Sequence, residues 1–235
     1  MCSSRPKVLH RLVGIPLIGH VLATARALKP ARIVTVVGHQ REQVEAFLQG
    51  EENPPVEVVL QAEQLGTAHA LLQTASPLRS DKGHLLVLSG DVPLLRPKTV
   101  ASFLETHRVE KAAVTLLTFE AQHPTGYGRV VRGEKGQVVR IVEEADLTHE
   151  DEAIQELNAG AYCFALPWVF EALSAISSEK GQGEFLLTDI VEVAVHSGLR
   201  VSAQRTPFEE ALGINSPEDL SQAEDILRRR TGEAV

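Results

Sequence analysis

The chain is poor in cysteine and contains no long apolar run. Its two cysteines, Cys2 and Cys163, lie far apart in sequence, so a structural disulfide is not expected and a reducing cytoplasm fits. No apolar stretch approaches the ~18 residues that span a bilayer, and no secretory signal is recognisable, so no membrane partner is predicted. The nine histidines show none of the paired spacings typical of zinc sites.

The chain also lacks an excess of basic residues. It carries 31 acidic and 23 basic side chains, a net charge of −8, which argues against a general nucleic-acid partner. The single basic block, residues 228–230, is expected at a solvated helix end, where the helix dipole favours positive charge. No repeat is recognisable, and 235 residues with 43% hydrophobic content suffice for one α/β domain with an appended subregion.

What the sequence does contain is an alternation of helical and extended apolar patterns. Helices are predicted over residues 17–28, 42–49, 97–107, 167–176 and 184–195, and a last helix begins with Ser216 as N-cap and Pro217 in its first turn. Strands are predicted over residues 32–37, 56–60, 85–88, 112–119, 157–166 and 199–203, and a β-hairpin over residues 128–142. The alternation predicts a Rossmann-like α/β fold with a doubly wound, mostly parallel sheet.

An acidic residue follows the most apolar of these strands. Residues 85–88 are apolar without alternation, as expected of a central parallel strand covered on both faces. Asp91 then emerges at the carboxyl edge, where open α/β sheets bind ligands, and its carboxylate suits a Mg²⁺ ion carrying a nucleotide phosphate. The alternative is a plain turn formed by Gly90 and Asp91 ahead of Pro93.

A second polar segment follows the strand at residues 56–60. Gln61 and Gln64 present amides that can match a pyrimidine edge, and Gly66 permits close approach of the backbone. Thr67 leads into the next helix. The alternative is a solvated loop in which Thr67 serves only as an N-cap.

Several short motifs occur in one order: PKVLH at 6–10, LQAEQLGT at 60–67, GDVP at 90–93, PTGYGR at 124–129, IVE at 141–143 and ELNAG at 156–160. Together they closely resemble the pyrophosphorylase domain of the bacterial bifunctional UDP-N-acetylglucosamine pyrophosphorylase/glucosamine-1-phosphate acetyltransferase family. The resemblance covers residues 5–230. It implies a nucleotide-diphospho-sugar transferase fold in which the hairpin forms a sugar-binding subregion, with one domain over residues 1–230 and a tail over residues 231–235.

The resemblance implies a metal and phosphate site. Asp91 and Asn215 would hold Mg²⁺ together, and Lys7 would neutralise phosphate charge as a catalytic cation. Without the resemblance, Asn215 could instead cap the last helix, and Lys7 could be an ordinary surface lysine.

The resemblance also implies a sugar site. Glu143 and Asn158 can hydrogen-bond sugar hydroxyls and an acetamido group, while Gly128 and Thr188 lie in segments similar to the family's sugar and phosphate contacts. Taken alone, Glu143 would be an ordinary charge at a strand end. The implied partners are UTP and N-acetylglucosamine-1-phosphate, and the implied reaction forms UDP-N-acetylglucosamine and pyrophosphate.

The sequence departs from the family pattern at both ends. The family begins with a buried strand and the glycine-rich signature LAAGxGTRM, and Met1 falls about where the Met of that signature would stand. We therefore expect that a first strand and a phosphate-binding loop are missing and that activity and stability are reduced. The acetyltransferase part, in which the family trimerises, has no counterpart either, so no acetyl-CoA site and no trimer are implied, and the oligomeric state is open.

Two other functions compete with this expectation. A chain without the phosphate loop could be a catalytically silent binding or regulatory domain of the same fold. Within the enzyme class, glucose-1-phosphate uridylyltransferase is the closest competitor, because only the resemblance indicates the N-acetyl preference.

Overall fold

Helices and strands alternate through much of the chain, as the apolar periodicity predicts, and four strands follow one another in its middle. The computed structural model describes residues 5–50, 55–121, 124–176 and 183–232. The α-helices are α1 (Leu17–Ala27), α2 (Arg41–Leu48), α3 (Thr67–Leu72), α4 (Ala75–Leu78), α5 (Pro97–Glu110), α6 (Trp168–Leu173), α7 (Ile190–His196), α8 (Phe208–Ala211) and α9 (Pro217–Thr231). The strands are β1 (Arg11–Leu12), β2 (Ile15–Pro16), β3 (Ile33–Val37), β4 (Val56–Leu60), β5 (Gly83–Val87), β6 (Val114–Glu120), β7 (Arg129–Arg132), β8 (Val138–Val142), β9 (Glu156–Leu166) and β10 (Val201–Arg205).

The main sheet is mixed and centres on the long strand β9. One edge of β9 pairs antiparallel with β6, and its other edge pairs antiparallel with β5 and, at Leu157, with β7. Strand β10 joins β6 in parallel, and β7 and β8 form the predicted hairpin. The α/β class is confirmed, but the expected mostly parallel sheet is corrected. Between β6 and β9 the described chain carries this hairpin and short 3-10 turns in place of a crossover helix, so β9 enters antiparallel to β6.

Strand β5 differs from the expected central parallel strand. Its two faces are covered as predicted, because Leu85 and Val87 pack in one apolar cluster and Leu86 packs with the following Leu88 in another. Its pairing is different: β5 runs antiparallel to β9 and pairs with no other described strand. One of its edges is therefore open.

A second open edge lies on β3. Strands β3 and β4 form a separate parallel pair, and β3 bonds no other strand in the part of the chain that the structure describes. The start of β3 lies beside the start of β5, because Arg32 reaches Asp81 at 3.3 Å and also donates to the carbonyl oxygen of Pro77. Val34 of β3 packs in the same apolar cluster as β5. Thus β3 and β5 lie side by side at their starts and pack against the same apolar cluster, and among the described strands no pairing joins them.

Local signals explain where the helices begin and end. Ser216 caps α9, because its hydroxyl accepts from the Asp219 backbone N–H while the Asp219 carboxylate accepts from the Ser216 N–H. The predicted helix over 184–195 begins later, at Ile190, after a 3-10 turn. The backbone of Phe185 is instead bonded on both sides to the segment that starts α3.

One of the two cysteines lies in the described part of the chain. Cys163 is a free thiol with no solvent exposure in β9, and burial raises its pKa to about 12. Cys2 lies outside the described residues. Among the helices of the described ranges, none has the length and apolarity to cross a bilayer.

A buried histidine makes the stability of the fold depend on pH. The His107 ring is fully buried on α5, its Nδ1 lies 2.8 Å from the Thr115 hydroxyl, and its edge meets the ring of His84. Burial lowers the pKa of His107 to about 4, and the positive charges of His84 and Arg108 act in the same direction. The neutral ring is therefore the form that the fold accommodates.

We expect the free energy of unfolding to fall as the pH drops from 7.5 to 4.5. The folded pKa lies below the ordinary value of 6.5, so the contribution of His107 is fully present above pH 6.5 and is lost as the pH falls toward 4, by roughly 2 kcal/mol at pH 4.5. His107→Asn, which keeps an acceptor for Thr115, should give a shallower pH profile in urea unfolding. His149→Gln, at a fully exposed histidine, is the control. Parallel profiles for His107→Asn and the parent chain would contradict this prediction.

Candidate active site

Three predicted residues meet at the carboxyl end of β5. Lys7 lies in a 3-10 turn, Asp91 follows β5, and Asn215 precedes the capped end of α9. Lys7 Nζ lies 2.5 Å from Asp91 Oδ2 and 2.6 Å from Asn215 Oδ1. Because Ser216 supplies the N-cap of α9, the Asn215 side chain is directed to Lys7 and not to the helix end. The backbone of Ile214 also donates to the Asp91 carbonyl oxygen, at 2.9 Å, which fixes the two segments together.

The oxygen atoms at this point fit a hard cation. A carboxylate oxygen of Asp91 and an amide oxygen of Asn215 converge on one position, which the Lys7 ammonium holds in this structure. The Lys7 and Asp91 side chains are 37% and 29% exposed, so the position is open to a ligand. Within the described ranges no three His, Cys, Asp or Glu side chains converge. A magnesium ion here would need substrate phosphates as further ligands, and Mg²⁺ commonly binds in that way.

The predicted base-binding loop lies at the carboxyl end of the β3–β4 pair. Gln61 continues the pairing of β4 with β3 through its backbone N–H, which donates to Val37 at 2.8 Å. Its side-chain nitrogen donates to the carbonyl oxygen of Gly66 at 3.0 Å. The Gln64 amide lies over Gly38, where its nitrogen would be 3.1 Å from an added Cβ. Both amides therefore stand at the carboxyl end of the β3–β4 pair.

Gly66 and Thr67 have packing partners that the sequence did not indicate. Gly66 has φ +102°, and a Cβ there would lie 2.5 Å from the carbonyl oxygen of Phe185. Gly66 is thus required for close approach, but the group that approaches in this structure is the protein's own backbone. Thr67 opens α3 and does not cap it; its hydroxyl accepts from the Leu187 backbone N–H at 2.9 Å.

The predicted sugar residues form one cluster between the hairpin and β9. The Thr188 hydroxyl donates to Glu143 Oε1 at 2.8 Å, and the Asn158 backbone N–H donates to the Gly128 carbonyl oxygen at 2.9 Å. A Cβ on Gly128 would lie 3.3 Å from Glu143 Oε2 and 2.9 Å from Ile141, so a larger residue would crowd the carboxylate. Burial raises the pKa of Glu143, an effect that the Thr188 hydrogen bond partly offsets.

Tyr127 and Ser89, which the sequence patterns did not single out, connect this cluster to the segments of Asp91 and Asn215. The Tyr127 hydroxyl accepts from the Gly213 backbone N–H at 3.1 Å, two residues before Asn215. The Ser89 hydroxyl donates to the Gly160 carbonyl oxygen at 3.0 Å, and the Gly160 N–H donates to the Asn158 side chain. Together with the Thr67 contact to Leu187 and the covalent chain between nearby residues, these bonds link the base loop, the sugar cluster and the segments that carry Asp91 and Asn215.

Tyrosine is the signal that could have revealed part of this network. The chain contains only two tyrosines, Tyr127 and Tyr162, and both contact the site. The Asn158 side chain donates to the Tyr162 hydroxyl at 2.6 Å. Burial raises the pKa of both phenols, so they act as neutral hydrogen-bonding groups and not as acids or bases near neutral pH.

Comparison with known protein families gives one match over most of the chain. Residues 2–211 match the family described as nucleotidyl transferase. Among curated proteins, the bifunctional protein GlmU of Bacillus licheniformis is 44% identical over 231 residues, which are 98% of this chain and 50% of that protein. The bifunctional protein GlmU of Pelotomaculum thermopropionicum is 45% identical over 232 residues, with the same coverage. The chain thus spans about half the length of these relatives.

Solved structures share the fold at low sequence identity. A UDP-glucose pyrophosphorylase complexed with UDP-glucose superimposes with a TM-score of 0.76 at 18% identity, covering 96% of this chain and 91% of that one. The inositol-1-phosphate CTP transferase from T. maritima gives a TM-score of 0.72 at 18% identity, covering 100% of this chain and 91% of that one. At this identity the similarity establishes the nucleotide-sugar pyrophosphorylase type of fold.

Proposed function

The chain belongs to the nucleotidyl transferase family, and we propose that it transfers the uridylyl group of UTP to N-acetylglucosamine-1-phosphate and releases pyrophosphate. The observation that carries this proposal is the convergence of Lys7, Asp91 and Asn215, with the base loop and the sugar cluster bonded into the same network. Relatives at 39–45% identity that are named GlmU support the choice of nucleotide and sugar.

The nucleotide would bind between the base loop and Lys7. Gln61 and Gln64 would meet the uracil edge, with Gly66 and Thr67 holding the loop against the strands. Lys7, as a compact point charge, would compensate the charge of the triphosphate. The Lys7 ammonium must leave the two oxygens when a metal or phosphate arrives, and its long flexible side chain permits that movement.

Asp91 and Asn215 would hold Mg²⁺ by one oxygen each. When bound, the ion would neutralise phosphate charge and align the two anionic substrates. The donor set supports this assignment, since one carboxylate and one amide oxygen leave room for phosphate ligands.

The sugar would bind at the cluster beside the hairpin. Glu143 can accept from a sugar hydroxyl, and Asn158 can bond a hydroxyl or an acetamido group. Thr188 holds the Glu143 carboxylate in place, and Gly128 leaves space in front of it. A hydroxyl donor would stabilise the charged form of Glu143, whose pKa burial raises.

The chemistry needs no nucleophile from the protein. A phosphate oxygen of the sugar phosphate, already anionic at neutral pH, attacks the α-phosphorus of UTP; the bond from that phosphorus to the β-phosphate oxygen breaks and pyrophosphate leaves. The task of the protein is to align two polyanions and compensate their repulsion. Two contacts would serve that alignment: the Asn158 backbone bonds Gly128, next to Tyr127, and the Tyr127 hydroxyl bonds Gly213, two residues before Asn215.

Pyrophosphate release is the test of the proposed function. With UTP and Mg²⁺, N-acetylglucosamine-1-phosphate should support faster release than glucose-1-phosphate. Faster release with glucose-1-phosphate would favour glucose-1-phosphate uridylyltransferase. A UDP-glucose pyrophosphorylase shares this fold. Tight binding of UTP without any release, even after an N-terminal strand and a glycine-rich loop are added to the chain, would favour a catalytically silent binding domain.

Substitutions in the two halves of the site should separate the two ligands. Gln61→Ala should weaken UTP binding about tenfold, because one hydrogen bond to the base is lost, and leave sugar-phosphate binding within about twofold. Asn158→Ala and Glu143→Ala should do the reverse. Calorimetry with each ligand measures both effects, and Gln49→Ala, at an exposed glutamine, is the control. Equal losses of both ligands in each variant would show that the division is wrong.

A further inference from the structure

The amide of Gln61 is held in one orientation by its neighbours. The Gly66 carbonyl oxygen, 3.0 Å away, can only accept a hydrogen bond, so the Gln61 atom that faces it must be the amide nitrogen. The same nitrogen lies 3.1 Å from Nδ1 of His69. Its second N–H is therefore directed at His69, and Nδ1 must carry the lone pair that accepts it.

The His69 ring is itself fixed from its other edge. Gln73, one turn further along, packs its amide nitrogen 3.0 Å from His69 Nε2 and donates to the His69 carbonyl oxygen at 3.0 Å. A neutral imidazole has one lone pair, so the ring can accept from Gln61 or from Gln73 but not from both. Gln73 has the His69 carbonyl oxygen as an acceptor in either case, whereas the second N–H of Gln61 has only Nδ1. The tautomer that satisfies Gln61 therefore carries the proton on Nε2, and the second N–H of Gln73 turns away from the ring.

The consequence is that Gln61 presents an acceptor outwards. Both N–H groups of its amide are directed at protein atoms, and no hydrogen bond to its oxygen is found among the described residues. A freely rotating glutamine amide can offer a donor or an acceptor and so matches several base edges. An amide fixed in this way offers only its oxygen.

We propose that His69 is a positioning residue that makes the site select uracil over cytosine. This inference rests on the proposed function, in which Gln61 meets the base. The ring nitrogen N3 of uracil carries a hydrogen that can donate to the Gln61 oxygen. Cytosine in the same ring pose presents a lone pair at N3, and two acceptors would then face each other. The fold does not set this choice, because a similar structure is a CTP transferase.

A pair of variants at His69 tests the inference. His69→Asn places an oxygen near the position of Nδ1 and keeps an acceptor for Gln61, whereas His69→Leu has nearly the same shape as Asn and no acceptor. We expect His69→Leu to lower the ratio of UTP affinity to CTP affinity about tenfold, the worth of one directed hydrogen bond, and His69→Asn to keep it within about threefold. Calorimetry on the full chain with Mg²⁺ and each nucleotide gives both dissociation constants.

The affinity ratio is insensitive to partial unfolding, because both nucleotides are measured on the same preparation. An unchanged ratio in His69→Leu would overturn the inference, and so would equal losses in both variants, which would indicate that His69 only supports the loop. In either case a parent chain that prefers UTP leaves the proposed function standing. A parent chain that binds UTP and CTP equally would overturn both.

Discussion

Extension of the chain by an N-terminal β-strand and a glycine-rich loop is expected to raise both its melting temperature and its rate of pyrophosphate release. We expect an increase of at least about 100-fold in rate, because a phosphate-binding loop supplies several backbone N–H groups and each charge-assisted hydrogen bond contributes ~1.5–3 kcal/mol. Lys7 contributes one mobile charge at this end of the site and cannot replace directed N–H donors.

The stability part of this expectation comes from the open edges of β3 and β5. These neighbours share an apolar cluster, yet in the described part of the chain neither bonds a strand on the facing side. A strand added along these open edges would pair with their free backbone groups and would cover apolar side chains that are now half-buried. Thermal unfolding should therefore show a higher midpoint for the extended chain.

A matched control separates the effect of strand pairing from the effect of a longer chain. One extension carries an apolar strand followed by the signature LAAGxGTRM, and the other carries the same residues in scrambled order. Only the extension with the unscrambled sequence should raise the melting temperature and the rate of pyrophosphate release from UTP and N-acetylglucosamine-1-phosphate. Comparable rates and midpoints for the original chain would mean that another segment binds the triphosphate.

Asp91→Asn is expected to abolish most of the magnesium-dependent turnover. The substitution keeps the shape of the side chain but removes the only negative charge among the three converging residues, and we expect a loss of roughly 100-fold or more, in line with the several kcal/mol that a catalytic cation contributes. The rise in melting temperature that Mg²⁺ with UTP gives the parent chain should also shrink, which provides a readout independent of turnover.

The control for this substitution lies at the opposite end of the same strand. Asp81→Asn makes the same chemical change beside Arg32, ahead of β5. It should leave the dependence of the rate on Mg²⁺ concentration unchanged in the extended chain. If the Asp91→Asn variant turns over at the parent's rate at limiting Mg²⁺, Asp91 is not a ligand of the metal.

Most helices and strands, and the end of the sheet where chemistry is expected, follow from local sequence patterns. Apolar periodicity located β3, β4, β6 and β10 within two residues, and the cap at Ser216 fixed the start of α9. These features depend on neighbouring residues along the chain, which sequence patterns record. The family membership followed from motifs whose order, and not any single residue, is specific.

The pairing of the strands and the contacts that hold the site together could be read from the folded chain but not from local sequence patterns. The open edge of β5 and the antiparallel course of β9 depend on partners that lie far apart in sequence, and apolar runs look alike in parallel and antiparallel strands. The same holds for Tyr127, which bonds Gly213 across 86 positions, and for Thr67, which bonds Leu187 across 120. Such contacts leave no local pattern, because a hydroxyl that meets a distant backbone group has the same neighbours in sequence as one that meets water.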